Sequence, residues 1–260
     1  MIVALKASSF AQALEWTAEV YRAAGAMLRD AGRLQGVADE GGYWPAFDSN
    51  EAAIEALLRA IERAGFTPGD EIAISLDIAA SDLYHAGRYH LALEDRVLDS
   101  DAMAAMLIGW LDRYPIRSIE DPLSEFDEAG LTAFTKAMGH RVEIVGDDYL
   151  VTNAGRIRNA ARAGACNAVL VKPNQAGTIT ETLAALDAAR AAGWGAILSA
   201  RSGETEDVTI VHLAVGWGVK QLKVGSFARS ERMAKWNEAL RIEEALGARA
   251  GFAGAEVLSR

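Results

Sequence analysis

The chain has 260 residues, of which 51% are hydrophobic and 24% charged, a composition that excludes disorder and fits one large or two small folded domains. Its 26 basic and 36 acidic residues leave a net charge of −10, so there is no basic surplus to drive non-specific binding to nucleic acid. A lone cysteine, Cys166, can form neither an internal disulfide nor a thiolate metal cluster, which points to a reducing, cytoplasmic setting; no apolar run approaches the roughly 18 residues of a membrane span, and the opening residues lack the basic leader of a signal peptide.

The first predicted element is a short strand over Ile2 to Leu5. Ser8 and Ser9 are candidate caps for a helix over residues 10–31, whose apolar positions Phe10, Leu14, Val20, Tyr21 and Leu28 share a face. A loop follows with Asp39-Glu40-Gly41-Gly42. Asn50 is the candidate cap of a second helix, where Ile54, Leu57, Leu58 and Ile61 recur at helical spacing, and Gly65 ends it.

From residue 72 the pattern turns regular. Short apolar runs end in a polar residue, and each is followed by a loop and an amphipathic helix closed by glycine. The runs lie at 72–77, 116–120, 142–147, 168–172, 196–199 and 221–224, with helices expected near 100–113, 127–138, 154–163, 179–192, 206–216 and 229–246. Leu83 to Leu91 reads as a hairpin turning at Ala86-Gly87, inserted after the first run.

Asp77 to Glu120 is 43 residues, lengthened by the inserted hairpin, and the later polar strand ends follow at shorter steps. Glu120 to Asp147 is 27 residues, Asp147 to Lys172 is 25, Lys172 to Arg201 is 29 and Arg201 to Lys223 is 22. Such steps fit the βα unit of an eightfold barrel, roughly 30 residues long, and near-continuous apolar strands imply a parallel sheet buried on both faces. An open doubly wound sheet would not need so many strands to end in ionisable residues. The expected fold is therefore an α/β TIM barrel with about seven of the usual eight strands in this chain. One domain over 1–247 and a loosely ordered tail over 248–260 are expected.

Asp77, Glu120 and Asp147 end successive strands. Taken singly, each reads as a helix cap or loop acid. In register, three carboxylates would repel at a barrel mouth unless a hard divalent cation such as Mg²⁺ neutralised them. Lys172 and Lys223 end apolar strands, where desolvation and a neighbouring cation push a lysine towards the neutral form that accepts protons; each alone reads better as a lysine snorkelling to the rim. The turn Ser199-Ala200-Arg201-Ser202-Gly203 offers a guanidinium, a hydroxyl and amides to a phosphate, and fits an ordinary capped turn equally well. The 39–42 loop alone is a weak signal of an acid brought close to substrate.

Together these stretches resemble the enolase family. DEGG at 39–42 and SLDIAAS at 75–81 are similar to the segments of its catalytic acid and first metal ligand. SIEDPL at 118–123 and VGDD at 145–148 resemble its next two metal-ligand motifs. VKPNQAGTITET at 171–182 resembles the base-lysine segment, SARSGETED at 199–207 the phosphate turn, and 222–247 the end of the barrel. The resemblance implies an enolase-type TIM barrel in which Asp77, Glu120 and Asp147 hold Mg²⁺. It further implies Lys172 as the base, Glu40 as the acid, Lys223 on the substrate carboxylate, and Arg201 and Ser202 on the phosphate. The implied reaction interconverts 2-phosphoglycerate and phosphoenolpyruvate, or uses a close analogue.

The chain also departs from that pattern. It starts at the family's second barrel strand, without the amino-terminal domain or its loop serine and histidine. Ala200 stands where the family has a histidine, and Pro173 follows the base lysine. Two alternatives arise: changed chemistry on a phosphate or phosphonate substrate, as in carboxyphosphonoenolpyruvate synthase, or a non-catalytic barrel that binds a partner. The missing strand predicts exposed edges, and hence a homo-oligomer or a separate chain like the amino-terminal domain.

Overall fold

A computed structural model describes residues 1–258. β1 (Ile2–Ala4) leads into α1 (Phe10–Asp30), and α2 (Asn50–Arg63) follows the loop that carries Glu40. The Ser9 and Ser49 hydroxyls cap these helices, accepting the Gln12 and Ala52 amides at 3.1 Å. Asn50 is thus the first helical residue rather than the cap, and its side-chain amide donates to Glu94.

β2 (Ile72–Asp77) opens the regular region. After it, β3 (Tyr84–His85), β4 (Arg88–Leu91) and β5 (Arg96–Leu98) form a separate antiparallel sheet. The hairpin between β3 and β4 turns at Ala86 and Gly87, with φ of 50° and 80°, the left-handed pair that matches strand twist in a two-residue turn. Tyr89 anchors this insertion. It is fully buried, its hydroxyl donates to Asp127 at 2.8 Å and it accepts the Ser124 amide at 3.0 Å.

The repeating units follow: α3 (Ser100–Arg113), β6 (Ile116–Glu120), α4 (Glu128–Met138), β7 (Glu143–Gly146), α5 (Ala154–Ala163) and β8 (Ala168–Val171). Then come the one-turn α6 (Pro173–Ala176), α7 (Ile179–Ala191), β9 (Gly195–Ser199), α8 (Thr209–Gly216), β10 (Gln221–Lys223) and α9 (Ser230–Leu246). The main sheet has seven strands in the order β1-β2-β6-β7-β8-β9-β10. β2 to β10 are parallel, as the apolar runs imply. β1 corrects the expectation of a wholly parallel sheet: it pairs antiparallel with β2, Val3 opposite Ala73. Two helices lie between these strands, where a single βα crossover would have kept them parallel.

The sheet curls strongly. β2 and β10 stand five strand spacings apart, about 24 Å in a flat sheet, yet Lys223 Nζ lies 2.8 Å from Asp77 Oδ2. The result is a seven-stranded α/β barrel, open because β1 pairs only with β2 and β10 only with β9 among the described residues. Ile72, Ile74, Leu107, Ile119, Phe134, Ile144 and Val169 fill the main core, while Val145, Ala168, Leu170 and Ile197 form a smaller separate cluster. Glu143 at the start of β7 is buried as well, and its carboxylate accepts from Ser118 and Gln221.

Beyond α9 the chain makes short 3₁₀ turns at Gly247–Arg249 and Gly254–Leu258, and Phe252 packs against Ala4, Ala7 and Ala13. Among the described residues no helix is long and apolar enough to cross a membrane.

Candidate active site

The carboxyl ends of the parallel strands gather the ionisable residues, because each apolar run buries its strand and releases the next side chain at the rim. Asp77 and Glu120 are the last residues of β2 and β6 and stand opposite each other in register. Lys223 ends β10. Its ammonium donates to Asp77 Oδ2 at 2.8 Å and to both Glu120 oxygens at 2.9 Å. Glu120 is buried, whereas the Asp77 side chain is 37% exposed.

This geometry corrects the expectation that Lys223 tends to neutrality. Burial alone would lower its pKa, but the charges of Glu120 and Asp77 and their hydrogen bonds outweigh it, so the ammonium is held above its ordinary value. Burial, with the nearby Asp77 charge, pushes the Glu120 carboxyl well above the usual range, and Lys223 only partly offsets this.

Asp147 follows β7 and Lys172 follows β8, and the Lys172 ammonium donates to Asp147 Oδ2. The Lys172 backbone is extended (φ −120°, ψ 104°), as Pro173 at the first position of α6 requires. Its amide donates to Thr152 Oγ1 at 2.9 Å, and that hydroxyl donates to Gln175 Oε1 at 2.8 Å. Asp147 Oδ1 is buried and has no hydrogen-bond partner. A buried carboxylate oxygen without a donor is costly, and a cation removes the cost. All the acids here offer oxygen donors, the class that Mg²⁺ and Ca²⁺ prefer. The donor set and the open oxygen therefore fit a divalent ion.

Among the described residues the three carboxylates that gather closely enough to share one ion are not Asp77, Glu120 and Asp147 but a grouping the sequence did not point to. Asp121, Asp147 and Asp148 each bring one carboxylate oxygen within 4.8 Å of the others. The Asp121 oxygens accept the Asp147 and Asp148 amides, both at 2.9 Å, so this residue seats Asp147 and Asp148 at the end of β7. Burial raises its carboxyl to about 7, against the pull of those two amides. The acidic pairs at 120–121 and 147–148 were the available signal, but a sequence cannot tell which member of a pair faces backbone and which faces the site.

Glu40 and the 199–203 turn meet across the chain: Ser202 Oγ donates to Glu40 Oε1 at 2.9 Å. An open cleft of about 370 Å³ lies here, lined by Asn174, Arg201, Ser202 and Gly203. β9 stops at Ser199, so Arg201 stands on the loop beyond the strand rather than at its end. Ala200 is buried, and its amide donates to the Lys223 carbonyl at 2.9 Å.

Residues 1–260 match the family model described as "Enolase, C-terminal TIM barrel domain". The chain belongs to the enolase family. Enolase 2 of Pseudomonas syringae pv. syringae is 48% identical over 260 residues, all of this chain and 61% of that protein. Enolase 1 of Desulfitobacterium hafniense is 48% identical over 255 residues, 97% of this chain and 58% of that protein. The chain thus spans about three fifths of the length of these enolases. Membership in this family makes it an enolase-type barrel.

Proposed function

We propose that this chain carries the catalytic rim of an enolase-like lyase that acts on a small phosphorylated carboxylate, 2-phosphoglycerate or a close analogue. The observation that supports this reading is a pair of lysine–carboxylate clusters at the strand ends, Lys223 with Asp77 and Glu120 and Lys172 with Asp147, with one buried Asp147 oxygen left open.

In this reading Asp77, Glu120 and Asp147 hold Mg²⁺. Bound there, the ion would supply Lewis-acid stabilisation of the negative charge that develops on the substrate carboxylate. The proton α to an ionised carboxylate is very weakly acidic, so its removal needs a fixed base and fixed positive charge. In this reading Lys172 Nζ is the base that takes that proton. Lys223, held charged by Glu120 and Asp77, faces the substrate carboxylate. Arg201 and Ser202 bind the phosphate in the cleft. Glu40 gives its proton to the departing hydroxyl, which leaves as water, and the electron pair from the broken C–H bond becomes the new C=C bond.

The relatives named above are enolases, and neither the phosphonate reading nor the non-catalytic one has an observation of its own. A cytoplasmic setting is supported by the buried, unpaired Cys166. The open β1 and β10 edges suit pairing with a second copy or a separate chain, so light scattering should give a mass above 27.7 kDa. The direct test is ultraviolet absorbance on mixing the chain with 2-phosphoglycerate and Mg²⁺. A rise from the conjugated product is expected, and its absence at micromolar protein would contradict the reading.

A further inference from the structure

Arg232 and Lys235 on α9 are long cationic side chains only 1% and 0% exposed, and neither belongs to the rim. A buried charge is tolerated only where hydrogen bonds replace its water. Arg232 finds those bonds on main-chain carbonyls from three separate segments. Its Nη1 donates to Arg201 O at 2.8 Å and Val224 O at 2.9 Å; its Nη2 donates to Ser202 O at 2.6 Å and Asp39 O at 3.3 Å. One guanidinium therefore bonds the anion turn, the residue after Lys223 and the residue before Glu40.

The surroundings are built around it. Gly225 has φ 126°, and a Cβ there would meet Glu40 O at 2.6 Å and Arg232 Cδ at 2.7 Å. The Ser226 amide donates to Glu40 O at 2.7 Å, and Arg229 Nε to Ala38 O at 2.8 Å. One turn along α9, Lys235 Nζ donates to Thr205 O at 2.7 Å and lies 3.4 Å from Glu204 Oε2, while Glu204 Oε1 accepts the Arg201 amide.

We propose that Arg232 is a positioning residue that locks the 38–42 loop and the 201–205 turn into one unit, so that Glu40 and Ser202 approach substrate together. Its catalytic consequence rests on the roles proposed above for Glu40 and Ser202; the coupling itself does not. A planar fork reaches three backbones at once, which a lysine ammonium cannot reproduce.

The test is amide hydrogen exchange on the full chain and on Arg232→Met and Arg232→Lys. Exchange in 38–42 and 201–205 should rise together, by about tenfold or more in Arg232→Met and by less in Arg232→Lys, with β6 and β8 unchanged. A rise in one segment alone, or an even rise across the barrel, would overturn the proposal. Gly41→Ala approaches from the other side, since its Cβ would meet Ala228 O at 2.2 Å. Coupling is reciprocal, so loosening should spread from 38–42 to 201–205; loosening confined to 38–42 would overturn the proposal even if Arg232→Met failed to fold. In turnover of 2-phosphoglycerate, Arg232→Lys should lower kcat by about 100-fold with a smaller change in KM. The exchange pattern is read without turnover, so lack of activity in the unaltered chain would remove only the functional reading.

Discussion

Lys223 Nζ lies 2.9 Å from each carboxylate oxygen of Glu120, joining β10 to β6 across the barrel mouth. The same nitrogen bonds Asp77, and Lys172 bonds Asp147. The three carboxylates assigned to the metal are thus each held by an ammonium, and Asp147 Oδ1 is buried with no hydrogen-bond partner.

A bound divalent ion should stabilise the fold, because it binds only the assembled rim. At Mg²⁺ about 100 times its dissociation constant, the gain is about 2.7 kcal/mol, or a Tm rise of about 5–10 °C for a chain of this size. Asp147→Asn should abolish the rise in a thermal melt, while Asp148→Asn should leave most of it. Loss of the rise in both variants would favour the Asp121, Asp147 and Asp148 grouping, and a rise kept in Asp147→Asn would contradict both.

Acid and base should separate cleanly. Glu40→Gln removes the proton donor for the leaving hydroxyl, so dehydration of 2-phosphoglycerate should fall by about 10²–10⁴. Exchange of the substrate α proton with solvent needs only the base and should persist. Loss of both in Glu40→Gln would mean that Glu40 does not act solely as the acid.

Gly146 ends β7 immediately before Asp147. A Cβ there would meet Leu150 Cδ1 at 2.6 Å and Cys166 Sγ at 3.0 Å, both on buried side chains. Gly146→Ala should cost about 1–3 kcal/mol in urea unfolding through overpacking, and should weaken Mg²⁺ binding by displacing Asp147. Unchanged stability would show that the pocket yields more easily than its contacts suggest.

Stability should depend on pH through Glu51. The Tyr114 hydroxyl donates to Glu51 Oε1 at 2.6 Å, and Arg113 pairs with the same carboxylate. The Tyr114 bond chiefly, with Arg113 adding and slight burial opposing, holds the Glu51 carboxyl below its ordinary 4.5. The stabilisation is complete above that value and disappears as pH falls through the lowered one. Tyr114→Phe should therefore lower Tm more at pH 7 than at pH 3; a gap that widened on acidification would have the wrong sign.

Much of this architecture was legible in the sequence because burial on both faces leaves a plain mark. The runs ending at Asp77, Glu120, Lys172 and Lys223 became strands or strand ends, and helices α3 and α5 fall on the expected residues. The reversal of β1 left no mark, since Ile2-Val3-Ala4 reads alike in either direction. β5 was missed because Arg96, Val97 and Leu98 are too few and too polar to stand out. The rim residues were found by spacing and resemblance together. Asp121 and Arg232 were not, because both act on main-chain groups whose positions only the folded chain defines.

The most direct measurement is proton exchange at C2 of 2-phosphoglycerate, followed by nuclear magnetic resonance in deuterated water with Mg²⁺. If Lys172 is the base at a metal-bearing rim, the C2 signal should decay with the unaltered chain and persist with Lys172→Ala. Equal decay with both proteins, or no decay with either, would contradict the assignment of that lysine and the chemistry built on it.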